Sequence, residues 1–114
     1  MLVLGIDPGT ATTGYGLVAN ARGGMLAHHG HGVILTPAGD EPHHRLAQIY
    51  DQLSALIRET SPDAMAVEEL FFKQNISTGI AVAQARGVIL LAAAHADLPV
   101  AGYKPAEVKQ GVVG

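Results

Sequence analysis

Apolar positions divide the chain into short runs and long periodic stretches. Met1–Ile6 is an apolar run stopped by Asp7-Pro8-Gly9-Thr10, where proline fixes φ and glycine frees it. This predicts a first strand and a turn. Gly14–Ala19 and Met25–Leu35 read as two further strands, separated by the turn residues Ala21-Arg22-Gly23-Gly24. Three antiparallel strands built from consecutive hairpins follow. From Pro42 to Thr60 the apolar residues Leu46, Ile49, Tyr50, Leu53, Leu56 and Ile57 recur at helical spacing and form one stripe. Asp40-Glu41-Pro42 offers a cap, negative charge and proline at the helix start.

Ser61-Pro62-Asp63 breaks that helix, and Ala64–Val67 reads as a strand ending in Glu68-Glu69. Ser77–His95 is predicted as a second long helix, apolar over most of its circumference and rich in alanine. Such a helix must be covered on more than one side, by its own core or by a partner. Leu98–Tyr103 reads as another strand, and Pro105 opens a third helix that Gly111–Gly114 interrupts. The order β-β-β-α-β-α-β-α predicts an α/β fold with a mixed sheet, in which hairpins come first and helical crossovers follow.

Composition narrows this picture. With 114 residues the chain is one domain or part of one, and it cannot form a two-domain cleft. Hydrophobic residues make up 48%, enough for a core. Cysteine is absent, which removes disulfides, thiolate metal sites and thiol nucleophiles. An aspartate at position 7 comes too early for a signal-peptide core, and Gly87–Ala94 falls far short of the roughly 20 apolar residues that span a bilayer. A soluble, cytoplasmic protein with no membrane association is expected.

The formal net charge of −3 argues against nucleic-acid binding, yet its distribution does not. Residues 1–72 carry three basic and eight acidic groups, whereas residues 73–114 carry four basic and two acidic ones. The first part would attract cations, and the second could meet phosphates.

Two carboxylates stand out. Asp7 ends the first strand and Glu68 ends the strand after the first long helix, so parallel pairing of these strands would set them about 4.8 Å apart in the sheet. Two hard oxygen donors suit Mg²⁺ or Mn²⁺ and a phosphodiester cleavage by metal-activated water. By spacing alone, Asp7 reads more readily as a turn former and Glu68 as a helix cap or solvated edge. Six histidines include His28-His29-Gly30-His31 and His43-His44. Strand alternation puts His29 and His31 on one face with His28 pointing away, and His43 and His44 point in different directions on a helix, so solvated surface histidines are expected rather than a metal site.

Five blocks then occur in order: Gly5-Ile6-Asp7-Pro8-Gly9-Thr10, Gly14-Tyr15-Gly16, Ala66-Val67-Glu68-Glu69-Leu70-Phe71-Phe72, Gln84-Ala85-Arg86-Gly87-Val88 and Val108-Lys109-Gln110-Gly111-Val112-Val113-Gly114. Together they resemble the RuvC family of Holliday-junction resolvases over essentially the whole chain. The resemblance implies a ribonuclease H-like fold as a single domain over residues 1–114, and a homodimer formed through the helix Ile80–Ala94. It also implies Mg²⁺-dependent paired nicking of four-way DNA junctions, with Mn²⁺ as a possible substitute, beside the family's branch-migration machinery (RuvA, RuvB).

On the same basis Asp7 and Glu68 are catalytic and metal-holding, and Glu69, on the opposite strand face, has no ligand role. Phe71 matches an aromatic that stacks on a base near the junction centre, with Phe72 in the core. Lys73, Gln74, Asn75, Ser77 and Thr78 form a polar segment suited equally to phosphates or to a solvated helix cap, and Lys104 and Lys109 add positive charge. Arg86 fits either DNA binding or a structural role. The family continues past Val113-Gly114 with a further acidic pair, so this chain is expected to be C-terminally incomplete and, alone, a poor nuclease. Gly5–Thr10 with the following glycine hairpin also looks like the phosphate-binding opening of actin-like and sugar-kinase-like ATPases. A non-catalytic junction-binding or dimerisation module is the other alternative.

Overall fold

A computed structural model describes residues 1–9, 12–20, 26–37, 39–68 and 76–103, of which 20, 26–29, 76–78 and 103 enter through their backbone only. Five strands and two helices follow in the order β1 (Leu2–Asp7), β2 (Thr12–Asn20), β3 (Leu26–Leu35), α1 (Pro42–Thr60), β4 (Ala64–Glu68), α2 (Ile76–His95) and β5 (Val100–Tyr103). The strands make one sheet in the order β3-β2-β1-β4-β5. β1 pairs antiparallel with β2, and β2 with β3, while β1 runs parallel to β4, and β4 to β5. This is the mixed sheet expected from the element order. The third helix expected from Pro105 lies outside the described residues.

The core sits on one face of the sheet. In β1 and β4 every second residue is sealed, with Leu4, Ile6 and Val67 at 0% exposure and Met65 at 1%. They pack with Ile49, Leu53 and Ile57 of α1 and with Ala85, Ile89, Ala92 and Ala93 of α2. Side chains alternate across a strand, so both helices lie on the Leu4–Ile6 side, and Val3, Gly5 and Asp7 belong to the other face. Crossovers through α1 and α2 return the chain in the same direction, which is why β4 and β5 run parallel to β1.

Several boundaries differ from the sequence reading for local reasons. β2 begins at Thr12 rather than Gly14, because Thr13, only 1% exposed, pairs with Ile34 and is buried despite its polarity. β5 begins at Val100 rather than Leu98. Asp97 takes a left-handed φ of 56°, and the Leu98 N–H donates to Ala93 O at 3.0 Å, so these residues close α2 instead.

α1 has the expected bounds, with Pro42 in its first turn, but Glu41 makes no side-chain capping bond. Asp40 instead accepts a hydrogen bond from Gln48 Nε2 at 2.8 Å. A left-handed Ser61, whose N–H donates to Ile57 O at 2.8 Å, ends the helix. Asp63 next ties β4 to β1. Its carboxylate accepts from the Leu2 N–H at 2.7 Å, and its own N–H donates to Leu2 O at 2.8 Å.

The histidine expectations change in detail. The β2–β3 register shifts between Leu17 and Val18, where Leu17 faces Gly30 and Val18 faces His28. A bulge of this kind suspends simple alternation, so the face assignment made for His28 and His29 does not carry across it. His43 and His44 are both exposed but turn toward each other, with ring centroids 4.1 Å apart.

Candidate metal and nucleic-acid site

The site is set by register. β1 and β4 pair as Val3 with Ala64, Leu4 with Met65, Gly5 with Ala66 and Ile6 with Val67. One residue further on each strand brings Asp7 beside Glu68. Parallel neighbours lie about 4.8 Å apart, so both carboxylates emerge at the C-terminal ends of adjacent strands, within reach of one shared ion.

They share the face that carries no core helix. The same row continues across the sheet through Gly14, paired with Asp7, and Val33, paired with Gly14. On the other side it ends at Tyr103, whose backbone pairs with Glu68. Asp7 is exposed and Glu68 half-buried. An exposed carboxylate is hydrated and open to a hard cation.

The geometry also explains why the chain folds this way locally. Leu2–Asp7 alternates so that Leu4 and Ile6 anchor the strand in the core while its last residue turns to the open face. Beyond Asp7 the turn is tight. A Cβ placed on Gly9 would lie 1.9 Å from Thr12 O, so only glycine allows the chain to pass there. Neither Gly14 nor Tyr103 stands out in the sequence as part of this row, although counting cross-strand partners from Asp7 reaches Gly14. The same holds for Asp63, whose clamp on Leu2 holds the far end of the register.

Other expected site residues fall elsewhere. Phe71, Lys73, Gln74, Asn75, Lys104 and Lys109 lie outside the described residues, as does Glu69. Ser77 and Thr78 stand in the first turn of α2 by their backbone. Arg86, half-buried in the middle of α2, has a buried Nε without a hydrogen-bond partner. The exposed side of α2 carries Ile80 at 53% and Leu91 at 49% exposure. Among the described residues no group of three or more His, Asp or Glu converges on one point, so Asp7 and Glu68 stand as a pair. No helix among them is long and apolar enough to cross a membrane.

Comparison with known proteins places the chain beside one family. The sequence model of one protein family, described as "Crossover junction endodeoxyribonuclease RuvC", matches residues 3–114. A protein of that description from Moorella thermoacetica is 60% identical over 114 residues, covering all of this chain and 68% of the relative. Another from Syntrophomonas wolfei is 58% identical, again over the whole chain, and the match covers 66% of the relative. The chain therefore spans about two thirds of the length of these relatives. Among solved structures, Thermus thermophilus RuvC in complex with a Holliday-junction substrate superimposes with a TM-score of 0.84 at 33% identity, over 96% of this chain and 68% of that one. The mixed five-stranded sheet is thus the ribonuclease H-like one.

Proposed function

Because the chain belongs to the RuvC family of crossover junction endodeoxyribonucleases, we propose that it serves Mg²⁺-dependent, paired nicking of four-way DNA junctions as a homodimer. The observation that carries this reading is the parallel β1–β4 register, which sets Asp7 and Glu68 side by side on the open face. Family membership sets aside the ATPase alternative.

Asp7 and Glu68 would hold the ion. Their oxygen donors fit Mg²⁺, with Mn²⁺ as the substitute, because both are hard cations that retain water and accept phosphate oxygens. When bound, the metal supplies activated water and stabilises charge on the leaving oxygen. The protein's part is to hold the two carboxylates at fixed spacing, through a register locked by the core on one face and by Asp63 at the far end.

Phe71 is assigned to stack on a junction base, an interaction of about 1–3 kcal/mol. Lys73, Gln74, Asn75, Ser77, Thr78, Lys104 and Lys109 are assigned to the DNA backbone. The apolar outer side of α2, with Ile80 and Leu91, supports the assignment of that helix to the dimer. A dimer offers two metal sites for two incisions. RuvA and RuvB are the proposed partners, and the cytoplasm the proposed location.

Among the described residues Asp7 and Glu68 stand as a pair, a sparse donor set for in-line displacement. The 114-residue chain is therefore expected to bind junctions but to nick them slowly. The same count favours a second reading, a non-catalytic junction-binding module, which binding without any nick in Mn²⁺ would select. The test is a labelled four-way junction titrated with the chain against linear duplex competitor, at rising Mg²⁺ or Mn²⁺. Junction-selective binding with slow paired nicks is the expected result. Equal affinity for junction and duplex would defeat both readings.

A further inference from the structure

Gly14 is a glycine that the described fold does not require. It stands inside β2, where glycine weakens a strand and marks a bulge, a bend or the close approach of a ligand or another backbone. The bulge of β2 lies elsewhere, between Leu17 and Val18, and Gly14 pairs in regular register with Asp7 on one side and Val33 on the other. Its backbone is extended and not left-handed. A Cβ built there would meet Asp7 Cβ at 3.9 Å, an ordinary contact, and no other atom of the described residues within 4 Å. Nothing in the described chain uses the space that the missing side chain leaves.

The register gives that space two walls. Cross-strand partners share a face, so Asp7, Gly14 and Val33 form one line on the open side of the sheet. With strands about 4.8 Å apart, Asp7 and Val33 stand about 10 Å from each other across a bare floor. Val33 is 55% exposed, an aliphatic side chain outside the core. A carboxylate on one wall and an apolar group on the other suit a ligand whose anionic and apolar parts are neighbours. A DNA strand repeats that pattern. Its phosphate oxygens can join a hard cation held by carboxylates, and the adjoining deoxyribose offers uncharged C–H edges.

We propose that Gly14 and Val33 are positioning residues for the reacting DNA strand. The deoxyribose next to the phosphate at the Asp7–Glu68 pair lies on the Gly14 floor and packs against Val33. This rests on the nuclease reading of the two carboxylates and adds the direction in which the strand leaves them, across β2 towards β3. Contact with one sugar is a small share of the binding to a whole junction, whereas a displacement of about 1 Å at the reacting phosphate costs about a hundredfold in rate. A side chain at position 14 therefore acts on the nicking step and leaves junction affinity nearly intact.

The chain has no cysteine, so Val33→Cys carries its only thiol. It is mixed, in Mg²⁺, with four-way junctions bearing a thiol-reactive disulfide on one sugar near the branch point. Adducts should form about tenfold faster than with Val100→Cys, which is partly exposed on the opposite face of the same sheet, and adding Gly14→Val should slow them. In the cysteine-free chain, Gly14→Ala and Gly14→Val should keep or raise the melting temperature, because glycine is a poor strand residue. Mn²⁺ affinity and junction affinity should hold, while single-turnover nicking at saturating chain falls about tenfold or more, as it should in Val33→Asp. Equal adduct rates at Val33→Cys and Val100→Cys, parental nicking in Gly14→Val, or loss of Mn²⁺ binding in Gly14→Ala would overturn the proposal. Lost self-association with unchanged nicking in Val33→Asp would give the patch to a protein partner and overturn it too. Should the chain bind junctions without nicking, the adduct rates alone decide. Failure of the nuclease reading looks different: the unmodified chain would show no preference for junction over duplex, and this proposal would fall with it.

Discussion

The two faces of the sheet divide fold and chemistry between alternate residues of the same strands. On one face Leu4, Ile6, Met65 and Val67 are sealed beneath α1 and α2. On the other, Gly5, Ala64 and Ala66 keep the surface low, and Asp7 and Glu68 stand at its C-terminal rim. Neighbouring residues therefore answer to opposite demands, one set to desolvation and the next to hydration. A slip of one residue between β1 and β4 would disturb both, because it would turn the aliphatic set outward and carry Asp7 away from Glu68. The register that satisfies the core is the one that pairs the carboxylates.

The sharpest way to break the comparison is to place the same chemistry on the wrong face. Leu4→Asp sets a carboxylate amid fully buried aliphatic side chains with no partner, and the chain should fail to fold at neutral pH, as read by circular dichroism and amide dispersion in NMR. Asp7→Asn, three residues on, should leave thermal stability within about 0.5 kcal/mol, since its site is exposed.

A smaller effect follows between β1 and β2. Gly9→Ala puts a Cβ into the Thr12 carbonyl and should cost about 1–3 kcal/mol in denaturant melts, whereas Gly5→Ala, whose Cβ would meet Gly16 O at an ordinary 3.7 Å, should cost no more than about 0.5 kcal/mol. The smallest concerns the far end of the register. Asp63→Ala removes the 2.7 Å bond from the Leu2 N–H, an exposed contact worth about 1 kcal/mol, and should speed amide exchange at the start of β1 without moving the core.

Much of this could be read from the chain because the signals are local. α1 runs from Pro42 to Thr60 as its stripe and flanking prolines indicated, and the order of strands and helices implied a mixed sheet. What failed was also local but cooperative. Thr12 and Thr13 look like turn residues, yet pairing with Leu35 and Ile34 draws them into β2. Asp40 looks like a cap, yet Gln48 in the second turn of α1 takes its carboxylate. Pairing of Asp7 with Glu68 could be anticipated only as a consequence of parallel strands, because register between segments some 60 residues apart depends on packing that no window of sequence contains.

The central claim is that Asp7 and Glu68 act as one cation site. A double-mutant cycle with Asp7→Asn, Glu68→Gln and the pair, read as Mn²⁺ affinity by electron paramagnetic resonance, tests it most directly. Shared ligation predicts that either single change removes most of the binding and that the second adds little, a coupling of about 1 kcal/mol or more. Independent, additive losses, or Mn²⁺ binding that survives both changes, would contradict it.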